Sequence, residues 1–457
     1  MMLARLLHPS DFGVMAVAGA AYAIVTMLMD LGLSSALIHF QQPSRGALSS
    51  LYWLNLACSF AMAMAMAGAA YPVAALYGQA DLAPVFLAMS LALPISACGS
   101  QFKVLAEKDL RFASISIIEV VATIAAAIGA LSVAAAGGGV FSFVAAILLS
   151  SAISTTLSWA FLSTGVRPAV HFCFAEIAPF VRYGIYRLGD ALANNLTNQA
   201  DLLIGGAVAS PFAMGFYTTT RDLSLRLANT VVNPVITRIG LPVMARVQSD
   251  ASSLKAVYLQ TLRMTASINF PIYIALAVWA DEMVEVLLGK QWAGASAYLQ
   301  IFAMWGLIRS TGNPVGSLLY ACGHVRRAFW WNIAFLVILP SILFMAVALD
   351  GLNGLAIGML ATQALAFYPA YRLLVYPACG ARFTEYIREL APPLAAAVIA
   401  VGLGHEASAL LCRASIPRLA IGGTVAIAAY LGISLVINRT WLTTMQELIK
   451  PFAGRPR

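Results

Sequence analysis

Arg187-Leu188-Gly189-Asp190-Ala191-Leu192-Ala193-Asn194-Asn195-Leu196-Thr197-Asn198-Gln199-Ala200-Asp201 sits within an otherwise apolar run over 183–207. On a helix, Arg187, Asp190, Asn194, Asn198 and Asp201 fall within one arc of about 80°. Most of the rest is Leu, Ala, Ile and Gly, with Asn195, Thr197 and Gln199 to the side. A helix with one ionisable stripe and an apolar remainder faces two solvents at once. In a membrane, that means lipid on one side and water or polar protein on the other.

The surrounding chain fits that reading. Of 457 residues, 61% are hydrophobic and only 10% charged, against about a quarter charged in soluble domains. Apolar runs able to cross the hydrocarbon cover 13–38, 49–71, 82–102, 113–134, 140–162, 183–207, 213–237, 257–280, 295–320, 328–349, 353–376, 390–408 and 418–437. This predicts an all-α polytopic membrane protein with thirteen spans. Prolines inside the spans (Pro94, Pro234, Pro271, Pro314, Pro340 and Pro369) predict kinks. Tyr71, Tyr77, Trp292 and Trp441 read as interface anchors. No polar loop exceeds about 20 residues, no phosphate-binding loop is present, and the six cysteines and five histidines show no metal spacing. A nucleotide-driven pump, a metal site and nucleic-acid binding are therefore not expected.

Eighteen Lys and Arg residues lie in one set of loops and the C-terminal tail, and four lie in the opposite set. The positive-inside rule places the first set and the C-terminus in the cytoplasm. An internal echo accompanies this. Pro9-Ser10-Asp11-Phe12-Gly13 precedes the first full span, and Pro211-Phe212-Ala213-Met214-Gly215 precedes the seventh, 202 positions later. A full span lies before the second copy and only about Met1–Leu7 before the first. The expectation is two pseudo-symmetric lobes around a central cavity plus a C-terminal helix pair, with thirteen of fourteen helices present and the first mostly missing. The expected divisions are 1–163, 164–388 and 389–457.

Five arginines fall inside spans: Arg187, Arg221, Arg226, Arg263 and Arg309. Each costs about 2.5–3.5 kcal/mol at the bilayer centre if it faces lipid. Asp222, Arg226, Asn229 and Asn233 share an arc of about 60°, and Asp222 can pair with Arg226 at i,i+4. Arg309, Asn313 and Ser317 form a shorter stripe. The first half has milder faces at Thr26–Asp30–Ser34, Ser116–Glu119–Thr123 and Asn55–Ser59. The cavity candidates for an anionic cargo are Arg187, Asn194, Asn198, Arg226, Arg263, Arg309 and Asn313, because guanidinium groups grip phosphate bidentately. Asp30, Glu119, Asp190, Asp201 and Asp222 are candidates for a coupling H+ or Na+, with no other cofactor expected. The Asn, Ser and Thr positions serve equally as glue between helices. For the Arg and Asp stripes the alternative is a structural ion pair, and Arg221, off its helix's stripe, reads as structural.

Ala4-Arg5-Leu6-Leu7-His8-Pro9-Ser10-Asp11-Phe12-Gly13 is similar to the first outer turn of polysaccharide flippases. Asp30-Leu31-Gly32-Leu33-Ser34-Ser35-Ala36-Leu37-Ile38 resembles the end of their second helix. Arg182-Tyr183-Gly184, Asn194-Asn195, Asp201-Leu202-Leu203-Ile204-Gly205, Met214-Gly215-Phe216-Tyr217 and Leu241-Pro242-Val243 continue the likeness through the chain. The family is the polysaccharide transporter branch of the multidrug/oligosaccharidyl-lipid/polysaccharide flippase superfamily. The resemblance implies two six-helix lobes with two further helices and a central cationic cavity. It also implies flipping of undecaprenyl-diphosphate-linked oligosaccharide across a bacterial inner membrane, with membrane lipids, a polymerase and glycosyltransferases as partners. The competing readings are a peptidoglycan-precursor flippase, an ion-coupled drug exporter and a polytopic glycan polymerase. The short outer loops weigh against the polymerase.

Overall fold

The structure is a computed structural model. It describes residues 2–40, 43–163, 168–227, 240, 243–412, 414–438 and 441; the side chains of Tyr186, Arg187, Asp190, Leu227 and Val325 lie outside the description. Among the described residues every regular element is a helix. Nine helical stretches among the described residues are long and apolar enough to cross a membrane. The protein is an all-α, multi-pass membrane protein. One of the nine stretches, Arg326–Cys379, has 54 residues, enough for the two spans expected there.

The chain forms two compact units: Met1–Gly215 with Phe335–Pro340, and Phe216–Ala334 with Ser341–Arg457. The first unit takes in the helix beginning at Phe174, which packs on earlier helices.

In the first unit, α1 (Met2–Leu6), α2 (Pro9–Asp30), α3 (Leu33–His39) and α4 (Arg45–Tyr77) are followed by α5 (Leu82–Ser90) and α6 (Ala92–Lys108). Then come α7 (Phe112–Ala135), α8 (Phe141–Phe161), α9 (Phe174–Val208) and the start of α10 (Pro211–Leu227). α5 and α6 are two halves of one span, interrupted at Leu91. Pro94 has no N–H to return to the carbonyl four residues back, so the turn before it opens. α7 shows how lipid and protein divide a helix. Ile118, Ala122, Ala126, Ala130 and Ala134 are buried, while Ile117, Val120, Val121, Ile124 and Ile128 are exposed. The small residues repeat every four and let α8 approach closely; the branched ones suit acyl chains. α4 starts at Ser44, whose Oγ accepts from the Ala47 N–H at 3.0 Å. Ser44→Ala is expected to cost about 1 kcal/mol, seen as a lower melting temperature in detergent; an unchanged melting temperature would deny the cap any weight.

The second unit continues α10 and adds α11 (Ala251–Val278), α12 (Ala280–Leu287), a 3-10 turn (Lys290–Ala295), α13 (Ser296–Ser310) and α14 (Asn313–Ala321). It ends with α15 (Val325–Ala370), a π-helical turn (Tyr371–Val375), α16 (Tyr376–Cys379), α17 (Phe383–Leu411) and α18 (Ser415–Ile437). α11 is capped by Asp250, whose carboxylate takes hydrogen bonds from Ser253 and Ser252 that hold its pKa down at about 2. The cap is therefore charged at physiological pH, and its contribution is lost only as pH falls below the ordinary 3.8 and through about 2. α13 and α14 divide before Pro314 as α5 and α6 do before Pro94. α15 reverses at Asp350–Gly351, where Gly351 has φ +51°. The returning arm lies so close that a Cβ on Gly354 would meet the Ala346 carbonyl oxygen at 2.0 Å, which is the contact role expected of a G-x-x-x-G pair.

α17 and α18 pair through Gly404, Gly422 and Ala426 and are tied to α11 by polar groups. Arg263 meets Glu389 at 3.2 Å and Asn438 Oδ1 at 2.7 Å. Asn438 donates to Ser267 Oγ at 2.8 Å, and Tyr430 donates to the Ser267 carbonyl at 2.7 Å. Two aromatic expectations need correction. Trp292 is fully buried against Phe216, 5.7 Å between rings, because the 3-10 turn folds it inward rather than toward an interface. Tyr77 reaches across to α9, where its hydroxyl donates to the Leu203 carbonyl. Tyr71 is exposed, as an anchor would be.

Candidate functional site

The α2–α3 junction is broken. Leu31, at φ +48°, and Gly32, at φ +69°, are left-handed, and the Leu31 N–H bonds back to the Leu28 carbonyl at 3.3 Å. α2 therefore ends at Asp30, inside the run predicted as a single span. Its closing carbonyls carry the negative end of the helix dipole, and Asp30 adds a carboxylate there. Ser34 donates its hydroxyl to that carboxylate.

Beside this break lies a cavity of about 480 Å³. Thr26, Asp30 and Ser35 line it from α2 and α3, and Leu188, Ala191 and Asn195 line it from α9. A carboxylate, two hydroxyls and an amide meet there beside Ala23, Met27, Leu188 and Ala191, so the wall is about half polar and half apolar. Such a wall accepts a cation or proton and hydrogen-bonds hydroxyl groups.

The sequence pattern foresaw part of this wall. Thr26 and Asp30 are in place. Ser34, their expected companion, is spent on Asp30, and Ser35 takes the position. The two left-handed residues rotate α3 relative to α2, so i+4 counting fails across the break. On α9 the pocket takes Asn195, which lay to the side of the predicted stripe. Leu188, Ala191 and Asn195 share one face, and Asn194 lies about 100° around from Asn195. The signal that would have found Asn195 was the glycine: Gly32 seats against Gly184, and that contact sets which face of α9 looks at the break.

The other candidates take several positions. Asn194 is exposed, and Asn198 donates to its carbonyl at 2.9 Å and its Oδ1 at 2.7 Å. Asp201 is fully buried. The Arg187 and Asp190 side chains lie outside the described residues. Glu119 is exposed on α7. In the second unit, Arg221 is buried and pairs with Asp222 at 3.6 Å. Arg226, which i,i+4 spacing offers to Asp222, is exposed. Arg309 is exposed and stands over the Trp305 ring, 4.9 Å from its centroid, a cation–π contact. Asn313 is half-buried at the start of α14. Arg263 spends its donors on Glu389 and Asn438, which gives it the work of docking α17 and α18. Asn55, also named from its pattern, donates to Ser100 at 2.9 Å and joins α4 to α6. Among the described residues no three His, Cys, Asp or Glu side chains group to hold a metal ion.

Comparison with known proteins gives a consistent result. The profile of the family described as "Polysaccharide biosynthesis protein" matches residues 2–297. The chain is 28% identical to the lipopolysaccharide biosynthesis protein WzxC of Escherichia coli (strain K12), over 85% of this chain and 79% of that protein. It is 25% identical to the teichuronic acid biosynthesis protein TuaB of Bacillus subtilis (strain 168), over 93% and 87%. Among solved structures, the lipid II flippase MurJ in an inward closed conformation superposes with a TM-score of 0.73 at 12% identity, over 96% of this chain and 98% of that one. A multidrug resistance MATE family transporter in an inward-facing conformation gives 0.63 at 12% identity, over 83% and 94%. The two structures share the fold of this chain.

Proposed function

From the membership of this chain in the polysaccharide biosynthesis protein family, we propose that it is a flippase. Its cargo is an undecaprenyl-diphosphate-linked oligosaccharide, a repeat unit of an exopolysaccharide or lipopolysaccharide. The unit moves from the cytoplasmic to the outer leaflet of a bacterial inner membrane by alternating access. No bond is made or broken, so the protein is not an enzyme. The C-terminus is cytoplasmic; glycosyltransferases act before the flipping step and a polymerase after it.

The observation that carries this reading is the pocket where Asp30, Thr26, Ser35 and Asn195 come together, in a chain that is 61% hydrophobic. A polar cavity at membrane depth is costly unless something polar occupies or crosses it. The names of the relatives, biosynthesis proteins for lipopolysaccharide and teichuronic acid, support glycan cargo. We assign the pocket to the coupling ion, H+ or Na+, because a carboxylate at the negative end of α2 gains most from a bound positive charge. Exposed Arg226 and Arg309 supply positive charge for the diphosphate.

The test is transfer of an undecaprenyl-diphosphate-linked oligosaccharide between leaflets in vesicles containing the protein, with lipid II and a cationic dye as competing cargoes. Transfer of the oligosaccharide alone supports the reading; transfer of lipid II or the dye alone replaces it. In the same assay, Asp30→Asn is expected to lower flipping about tenfold or more and to remove its dependence on an ion gradient. Full gradient-driven flipping by Asp30→Asn would move the coupling site elsewhere.

A further inference from the structure

The two P-x-x-x-G turns noted in the sequence meet each other. Pro9 opens α2 and Pro211 opens α10. A Cβ on Gly13 would lie 1.8 Å from the Pro211 carbonyl oxygen, and a Cβ on Gly215 would lie 1.8 Å from the Pro9 carbonyl oxygen. The contact is reciprocal, each glycine receiving the proline carbonyl of the other copy, as across a local twofold axis. In each case the glycine hydrogen in the Cβ direction points at the carbonyl, the arrangement of paired Cα–H···O contacts. The obstacle is backbone on both sides, so nothing can swing away to admit a side chain.

A second glycine contact lies farther along the same seam. A Cβ on Gly32 would meet the Gly184 carbonyl oxygen at 2.3 Å, and a Cβ on Gly184 would meet that of Leu31 at 2.4 Å. It joins the α2–α3 break to α9, about 28 Å of helix rise from Gly13. The polar pocket borders this second contact, with Gly32 in its wall. Between the two contacts, the Tyr77 hydroxyl donates to the Leu203 carbonyl at 3.2 Å and Gln79 donates to the Gly206 carbonyl at 3.3 Å. A backbone-to-backbone contact closes tightly and parts without moving a side chain at the contact itself; the hydrogen bonds of Tyr77 and Gln79 are what opening the seam breaks. Those are the properties of a gate.

We propose that these contacts are the two gates of the transport cycle: the Gly13–Gly215 clasp closes the outer end of the seam, and the Gly32–Gly184 contact closes the inner end. The proposal rests on the flippase reading for the sense of outer and inner. It makes Gly13, Gly215 and Gly184 determinants of which side the pocket faces, and it gives the repeated P-x-x-x-G turn a purpose beyond starting two helices.

The test uses Thr26→Cys as a pocket reporter, with the six native cysteines replaced, in vesicles of both orientations labelled by a membrane-impermeant maleimide. Gly13→Val and Gly215→Val are expected to raise labelling from the outside about tenfold or more and to lower it from the inside. Gly184→Val is expected to do the reverse. If the valine variants fail to reach the membrane, the Gly13→Ala, Gly215→Ala and Gly184→Ala variants are read by the same rule. Wild-type labelling in all variants, or shifts in the same direction at both contacts, overturns the proposal. The readout needs no cargo. Opposite shifts without oligosaccharide transfer leave the gates standing and remove the cargo assignment; oligosaccharide transfer with unmoved labelling removes the gates alone.

Discussion

Replacing Arg226 with alanine is expected to lower polymer export about 10- to 100-fold, with the amount of protein in the membrane unchanged. The figure is that of one hydrogen-bonded charge contact, about 1.5–3 kcal/mol. Arg226 lies in the last two residues of α10 and is exposed. A guanidinium at membrane depth cannot rest on acyl chains without a cost of about 2.5–3.5 kcal/mol, so an exposed Arg226 is expected to meet water, headgroups or cargo. Arg226→Lys keeps the charge but not the planar pair of donors, and is expected to recover only part of the loss. Normal export by Arg226→Ala, measured as surface polysaccharide, would remove this guanidinium from the pathway.

Arg263→Ala is expected to act in the opposite way, through stability. Its guanidinium and the Glu389 carboxylate are about a fifth exposed, at 19% and 23%. Deleting one partner leaves the other charge largely buried, which costs about 3–5 kcal/mol. It also strips Asn438 of a 2.7 Å bond and loosens α18 from α11. The melting temperature in detergent should fall steeply. Arg263→Met with Glu389→Leu, an apolar pair of similar volume, should return most of that loss and restore export with it. If Arg263→Ala melted like wild type yet failed to export, the ion pair would not be the residue's role, and Arg263 would return to the cavity set.

These two arginines show how far the chain could be read. Both lie inside apolar runs and both carry the same desolvation cost, so local sequence treats them alike. Glu389 and Asn438 stand 126 and 175 positions from Arg263, and helix periodicity carries no information over that distance. Asp222 has the same lesson at short range. The i,i+4 rule offers it Arg226, and the structure sets it against Arg221 next door at 3.6 Å, because Arg221 is held in the interior. Trp292 was misplaced for a related reason. An aromatic residue near the end of an apolar run fits a headgroup zone and a core equally well, and only the 3-10 turn that carries it inward decides.

What the amino acids determined alone was whatever depends on the solvent and on local geometry. Sixty-one per cent hydrophobic residues require lipid, the length of the runs requires helices, and the polar stripes require something other than lipid on one side, whether water or polar protein. The paired P-x-x-x-G turns and the resemblance to polysaccharide flippases were legible in the same way. Tertiary structure decided what depends on distant partners: that Asp30 ends a helix and lines a pocket with Ser35 and Asn195, that Arg263 is a tie, and that Pro9 and Pro211 each close on the other's glycine. The physical reason is that hydrophobicity and helical period are properties of neighbours in the chain, whereas a charge or a bare glycine backbone acquires its role only from the group that packing sets against it.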